Sequence, residues 1–182
     1  MEWLSSVADD PELCREHWAD DPRRPYALPT GVAFDAVVTE QRLGVETFDQ
    51  LERRGMPVGP VLADRAGRQL GFFLPPKSKD RFERAIARET EAPPTYRYLQ
   101  RESFIVVPGP ISLAGDRYQW LRAPHHPPEP SPLRTVSLAV MLVASAALME
   151  RADCYGEEYS DAGAGEVDGL VPEKGPVTGP VE

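Results

Sequence analysis

Residues 103–122, SFIVVPGPISLAGDRYQWLR, constrain the fold more than any other stretch of the chain. Phe104, Ile105, Val106 and Val107 form an unbroken β-branched and aromatic run, the pattern of a strand buried on both faces. Pro108-Gly109-Pro110 ends it, because two prolines withhold ladder donors and the glycine tolerates positive φ. Ala114-Gly115-Asp116 supplies the next turn, and Arg117 to Leu121 alternate as a half-buried strand does. A Pro-braced loop at the end of a buried strand is a natural place for a binding site, and equally a plain sheet connection.

The elements around this stretch can be read from capping and periodicity. Glu2 to Trp18 reads as a helix broken near Pro11, with Asp10 as cap and Pro11 in the first turn. Pro29-Thr30-Gly31 turns the chain into a strand at Val32 to Val38. Thr47 caps a short helix to Arg54, Gln50 completes a capping box, and Gly55 ends it. Pro60–Ala63 and Arg68–Leu74 form a hairpin, Lys79–Glu89 is an amphipathic helix, and Tyr96–Leu99 is a strand. Leu133 to Arg151 is a helix so apolar that it must be buried nearly all round. Either the first helix covers its back or a second copy of the chain does. The fold class is α+β, a mixed central β-sheet with helices packed mainly on one side. A single domain spans residues 1–152, and residues 153–182 form a disordered, acidic, Gly/Pro-rich tail.

Charge sharpens this division. The net charge is -9, and the tail carries eight acidic residues against one lysine. Between Arg53 and Arg101, 11 basic residues face five acidic ones, a belt permissive for phosphate binding. Two cysteines make no disulfide framework, and the acidic N-terminus is no secretory signal, so a reduced, cytoplasmic protein is expected. Val136 to Met149 is too short to span about 30 Å of hydrocarbon, and no membrane role is expected. Cys14-x-x-His17 has ligand-like spacing but lacks the further donors a structural zinc needs, so it is read as helix packing.

The strand, Pro-rich loop, Gly turn and Tyr118-Gln119-Trp120 strand resemble the end of the bifunctional primase/polymerase (prim-pol) N-terminal domain of the archaeo-eukaryotic primase superfamily. Pro29-Thr30-Gly31 matches the turn before that family's first catalytic strand. The resemblance implies three motif positions. Two carboxylates one residue apart hold divalent metals, a histidine on a second strand meets the nucleotide phosphates, and a third strand adds an aspartate. Phosphoryl transfer needs these groups because metal ions must neutralise the developing charge. Here the positions fall on Val38 and Glu40, on Gly71, and on the segment before Phe104, where Glu102 is the nearest acid. Asp35 lies within the strand instead, either solvent-facing or capping a neighbouring loop. Arg97 and Arg101 stand near the third position, and a guanidinium can grip a phosphate bidentately. Tyr118 and Trp120 can stack a base where exposed.

Two functional classes fit these residues. One is a standalone, catalytically inactive prim-pol-like domain that binds single-stranded nucleic acid, nucleotide or a replication partner, through residues drawn from Asp35, Glu40, Arg97, Arg101, Tyr118 and Trp120. The other is a protein-interaction module with no nucleic-acid role that uses helix 133–151 and the acidic tail, with another protein or with itself. An active primase, needing magnesium or manganese, requires Asp35, Glu40 and Glu102 to converge. No catalytic residue, metal or cofactor is otherwise expected.

Overall fold

A computed structural model of the chain describes residues 2–128 and 130–164. They fall in two compact units, Met1–Ala147 and Leu148–Glu182. In the first, α1 (Glu2–Ser5) and α2 (Pro11–Asp20) precede β1 (Tyr26–Pro29), β2 (Asp35–Glu40) and α3 (Gln41–Arg53). Then come β3 (Val61–Asp64), β4 (Gln69–Leu74), α4 (Lys79–Glu89), β5 (Tyr96–Leu99), β6 (Phe104–Val107) and β7 (Tyr118–Arg122). Helix α5 (Pro132–Ala164) begins in the first unit and supplies the described part of the second.

The main sheet has the order β5-β2-β4-β3-β7, and β1 pairs with β6 in a separate two-stranded sheet. Every one of these pairings is antiparallel, where a mixed sheet was expected. The reason lies in the crossovers. Strand β2 passes through α3 to β3, which runs parallel to it but one position away, and the β3–β4 hairpin inserts β4 between them. Helix α4 likewise carries β4 to β5 across β2. Two interlocked β-α-β units of this kind leave no parallel neighbours, the split β-α-β arrangement.

Alternation along β2 divides its side chains between two layers. Ala36 and Val38 join Leu62, Phe73, Ile105 and Val107 in a core that also takes in Leu4, Cys14 and Trp18 of the first two helices. Phe34 and Phe73 meet at 4.6 Å between ring centroids, and Trp120 packs on Phe73 at 5.7 Å. On the other face, α3 lies against Thr39 and Leu70, close enough that a Cβ on Gly44 would fall 2.7 Å from both. Phe82 of α4 meets the rings of Tyr96 and Tyr98 there at 5.2 and 5.6 Å. Helices therefore cover both faces, with α3 and α4 on one, and α1, α2 and the small sheet on the other.

Several local expectations hold. Asp10 Oδ1 accepts from the Glu12 and Leu13 N–H groups, Pro11 opens α2, and Gly55 adopts φ +59° after α3. Others change. Helix α3 starts at Gln41, six residues before the expected cap: Glu40 caps it, and Thr47 is buried mid-helix, donating to Leu43 O at 2.8 Å. Strand β6 is not buried on both faces, since it sits in the outer two-stranded sheet and Phe104 is 56% exposed.

Helix α5 is not buried all round. Leu138, Ala139 and Leu142 are buried, whereas Leu133 is 60% exposed and Val136 and Val140 are half-buried. The first helices do not cover it, because they belong to the core on the opposite face of the sheet. The helix continues past Arg151 to Ala164, and Pro132–Tyr155 is by length and composition apolar enough to cross a membrane, unlike the shorter run read from sequence. The rest of the expected acidic tail, 165–182, lies outside the described residues.

Two measurements check this packing. Phe73→Ala, at a site only 1% exposed, should lower unfolding free energy by about 3–5 kcal/mol in a denaturant titration; a loss below about 1 kcal/mol would contradict the aromatic core. Burial pushes the Cys14 thiol up to about 11, while Cys154 is exposed. A thiol reagent at mildly alkaline pH should therefore modify Cys154 in the native protein and Cys14 only after denaturant is added.

Candidate functional site

The register of the main sheet lines up two rows of residues on the face that carries β6. The first runs Arg97, Val38, Gly71, Leu62, Trp120 across β5, β2, β4, β3 and β7. The second, one pleat toward the open end of the sheet, runs Glu40, Gln69, Asp64, Tyr118. The positions singled out by resemblance, Val38, Glu40 and Gly71, thus come together although they lie up to 33 residues apart in sequence. Phe104, Ile105 and Val106 of β6 close over them, leaving a cavity of 180 Å³. A wider cleft of 510 Å³ adjoins it, lined by Glu40, Arg68, Tyr96 and Arg97, and Val38, Gln69 and Arg97 belong to both.

Each polar side chain here is held by a specific partner. Glu40 Oε2 accepts from the backbone N–H of Arg42 at 2.8 Å and of Leu43 at 3.2 Å, capping α3. Arg97 Nη2 donates to Gln69 Oε1 at 3.0 Å, which fixes an exposed guanidinium beside both cavities. Asp64 takes both arms of Arg117, at 2.9 and 3.1 Å, and that pairing holds its carboxyl below the usual range. The same Arg117 guanidinium stacks over the Tyr118 ring, 4.8 Å from its centroid. The turn before β4 is tied down as well, since Arg68 O accepts from the Gln41 N–H.

The family described as bifunctional DNA primase/polymerase, N-terminal, matches residues 1–134. The chain belongs to that family. No curated protein and no solved structure matches it. The prim-pol match spans both sheets and ends as α5 begins.

Against the family's divalent metals, the residues present at these positions do not fit. Val38 offers no donor atom, and one oxygen of Glu40 is committed to two backbone N–H groups. At Gly71 there is no imidazole, and a Cβ built there would stand 3.2 Å from Ile105 and 3.4 Å from Leu62, a tight fit that requires the Ile105 side chain to shift. Among the described residues, no three His, Cys, Asp or Glu side chains are grouped as a metal site.

The remaining sequence candidates lie elsewhere. Asp35 is 1% exposed and belongs to the opposite face, where its Oδ2 accepts from the Ser78 N–H at 3.0 Å and from the Tyr98 hydroxyl at 2.9 Å. It thereby caps α4, whose own Ser78 side chain makes no capping bond. Glu102 sits in the β5–β6 turn at φ +66°. Asp35, Glu40 and Glu102 are therefore not assembled on one face. Arg101 follows β5 at the far end of the sheet, packed on Gly31, whose φ of +90° and contact with the Arg101 backbone leave no room for a side chain. Trp120 belongs to the core through Phe73. The Pro108-Gly109-Pro110 loop does not open onto the cavity; it packs against residues 22–24 between α2 and β1, with Ile111 N–H donating to Pro22 O. The basic belt is also not one surface, because Arg81, Arg84 and Arg88 of α4 lie on the helix side while Arg97 faces the cavities.

Sequence reasoning missed Gln69, Asp64 and Arg117. The signal was present in the alternation of the 61–64/69–74 hairpin, which puts Asp64, Gln69 and Gly71 on one face.

Asp35 provides a pH test. Burial raises its carboxyl above the ordinary 3.8, outweighing the bonds from Ser78 and Tyr98. The folded state then holds the proton more tightly than the unfolded chain. That contribution is complete below the unfolded value and is lost as pH rises through the raised one. Asp35→Asn, which keeps an acceptor oxygen, should raise the melting temperature at neutral pH, and the gain should vanish below about pH 4. A variant less stable than the wild type at neutral pH would refute the assignment.

Proposed function

We propose that this prim-pol domain binds single-stranded nucleic acid or nucleotide without polymerising it. The observation that carries the reading is the row Arg97, Val38, Gly71, in which a fixed guanidinium stands beside two positions that offer no metal donor. Arg97 and Arg68 line the wider cleft and grip phosphate oxygens there. Tyr118 and the exposed Phe104 line the smaller cavity and take a base face. Arg117 pairs with Asp64, and the carboxylate of Glu40 is turned onto the backbone N–H groups of α3, which lessens the repulsion either would exert on a phosphate chain. Catalysis is absent in this reading because the scaffold survives while the acids and histidine that would hold metals and triphosphate do not.

A salt titration with a short oligothymidylate tests this. Binding should weaken steeply between low and moderate salt, and Arg97→Ala should reduce the slope of log K against log salt by about 0.7, one phosphate contact on a single strand. Arg101→Ala, at the other end of the sheet, should leave the slope unchanged. No binding even at low salt would overturn the proposal. Primer synthesis with magnesium or manganese, abolished by Glu40→Ala, would overturn the non-catalytic part alone.

A further inference from the structure

The exposed side of α5 carries a second, unrelated feature. Leu133, Val136, Val140 and Val143 recur at spacings of three, four and three, the seam of a helix that packs against another helix. Leu133 is 60% exposed and the three valines are half-buried, while the buried residues Leu138, Ala139 and Leu142 occupy the inner side. The seam is about 15 Å long at 1.5 Å per residue. Three of its four residues lie beyond those that match the family.

Beside the seam runs α4, and between the two helices lies a groove of 570 Å³. Its floor is Ala85, Leu133, Val136 and Val140, and its rim is Arg81, Arg84 and Arg88. These arginines sit at i, i+3 and i+7, so they line one edge of the groove, and all three are exposed. Glu89 is the one acid that lines it; the neighbouring Glu83 is paired with Lys79 at 3.8 Å.

We propose that this groove docks an acidic amphipathic helix of a partner protein. An apolar stripe on the incoming helix covers the seam, and glutamates or aspartates along one flank pair with the three arginines. A second copy of the chain fits less well, because it would bring an identical arginine row toward the first. Nucleic acid has the charge but no apolar stripe to cover Leu133 and Val140. A lipid surface has both, but it is flat, and the site is a channel between two helices.

The test uses the full-length protein and two labelled synthetic helices. One carries leucine at seam spacing with glutamate on its flanks; in the other every glutamate is lysine. Fluorescence anisotropy should show the acidic peptide binding at least about tenfold more tightly, a difference set by charge complementarity. Substituting Arg81→Glu, Arg84→Glu and Arg88→Glu together, all at exposed positions, should reverse that preference. Val136→Glu should abolish binding of both peptides. Equal binding of the two peptides, no binding of either, or indifference to the arginine reversal would overturn the proposal. So would a concentration-dependent dimer dispersed by Val136→Glu, which assigns the seam to a second copy. Capture by phosphatidylserine vesicles without peptide binding would assign it to a membrane surface and overturn it equally.

Discussion

Two backbone N–H groups at the start of α3, those of Arg42 and Leu43, take the carboxylate of Glu40. That bond fixes where β2 ends and the helix begins, and therefore where every residue of the cavity row stands. A helix N-terminus leaves its first N–H groups unsatisfied, and an acidic side chain there also meets the positive end of the helix dipole. The acid that prim-pol resemblance would make a metal ligand is here a structural cap. Its expected companion two residues earlier is Val38, an apolar member of the core.

The same exchange of chemistry for packing recurs across the sheet. Gly71 pairs directly with Val38, and Ile105 and Leu62 pack close beside it. Asp35 is buried on the opposite face as a cap for α4. What is left on the cavity side is Arg97 held by Gln69, an Asp64 paired with Arg117, and an exposed Glu40 tied to the start of α3. Such a surface can hold a phosphate chain in place, but it presents little with which to hold a metal pair.

Much of the fold was legible because local signals agreed with global ones. Asp10-Pro11 fixed the start of α2, and the runs 60–63 and 68–74, with four residues between them, fixed the hairpin. Tyr96–Leu99 and Phe104–Val107 were read with their observed bounds. The errors came where a tertiary partner decided. Thr47 has the residue type of a cap, but Glu40 reaches the helix first, and Thr47 turns its hydroxyl back to Leu43. Phe104-Ile105-Val106-Val107 has the composition of a central strand, yet its partner is β1 in an outer sheet. For the site, resemblance supplied the spacing of Val38, Glu40 and Gly71, which the register brings onto one face, whereas Glu102 at the third position lies in the β5–β6 turn. The grip on Arg97 and Asp64 was not legible, since cross-strand neighbours depend on a register that composition does not show.

The central claim is that this face of the sheet persists without an ion-holding site. Amide NMR during titration with Mn²⁺ tests it most directly, because a bound paramagnetic ion broadens nearby signals. The account predicts no selective, saturable broadening at Val38, Glu40 and Gly71. Saturable loss of those three signals, reversed by excess Mg²⁺, would contradict it.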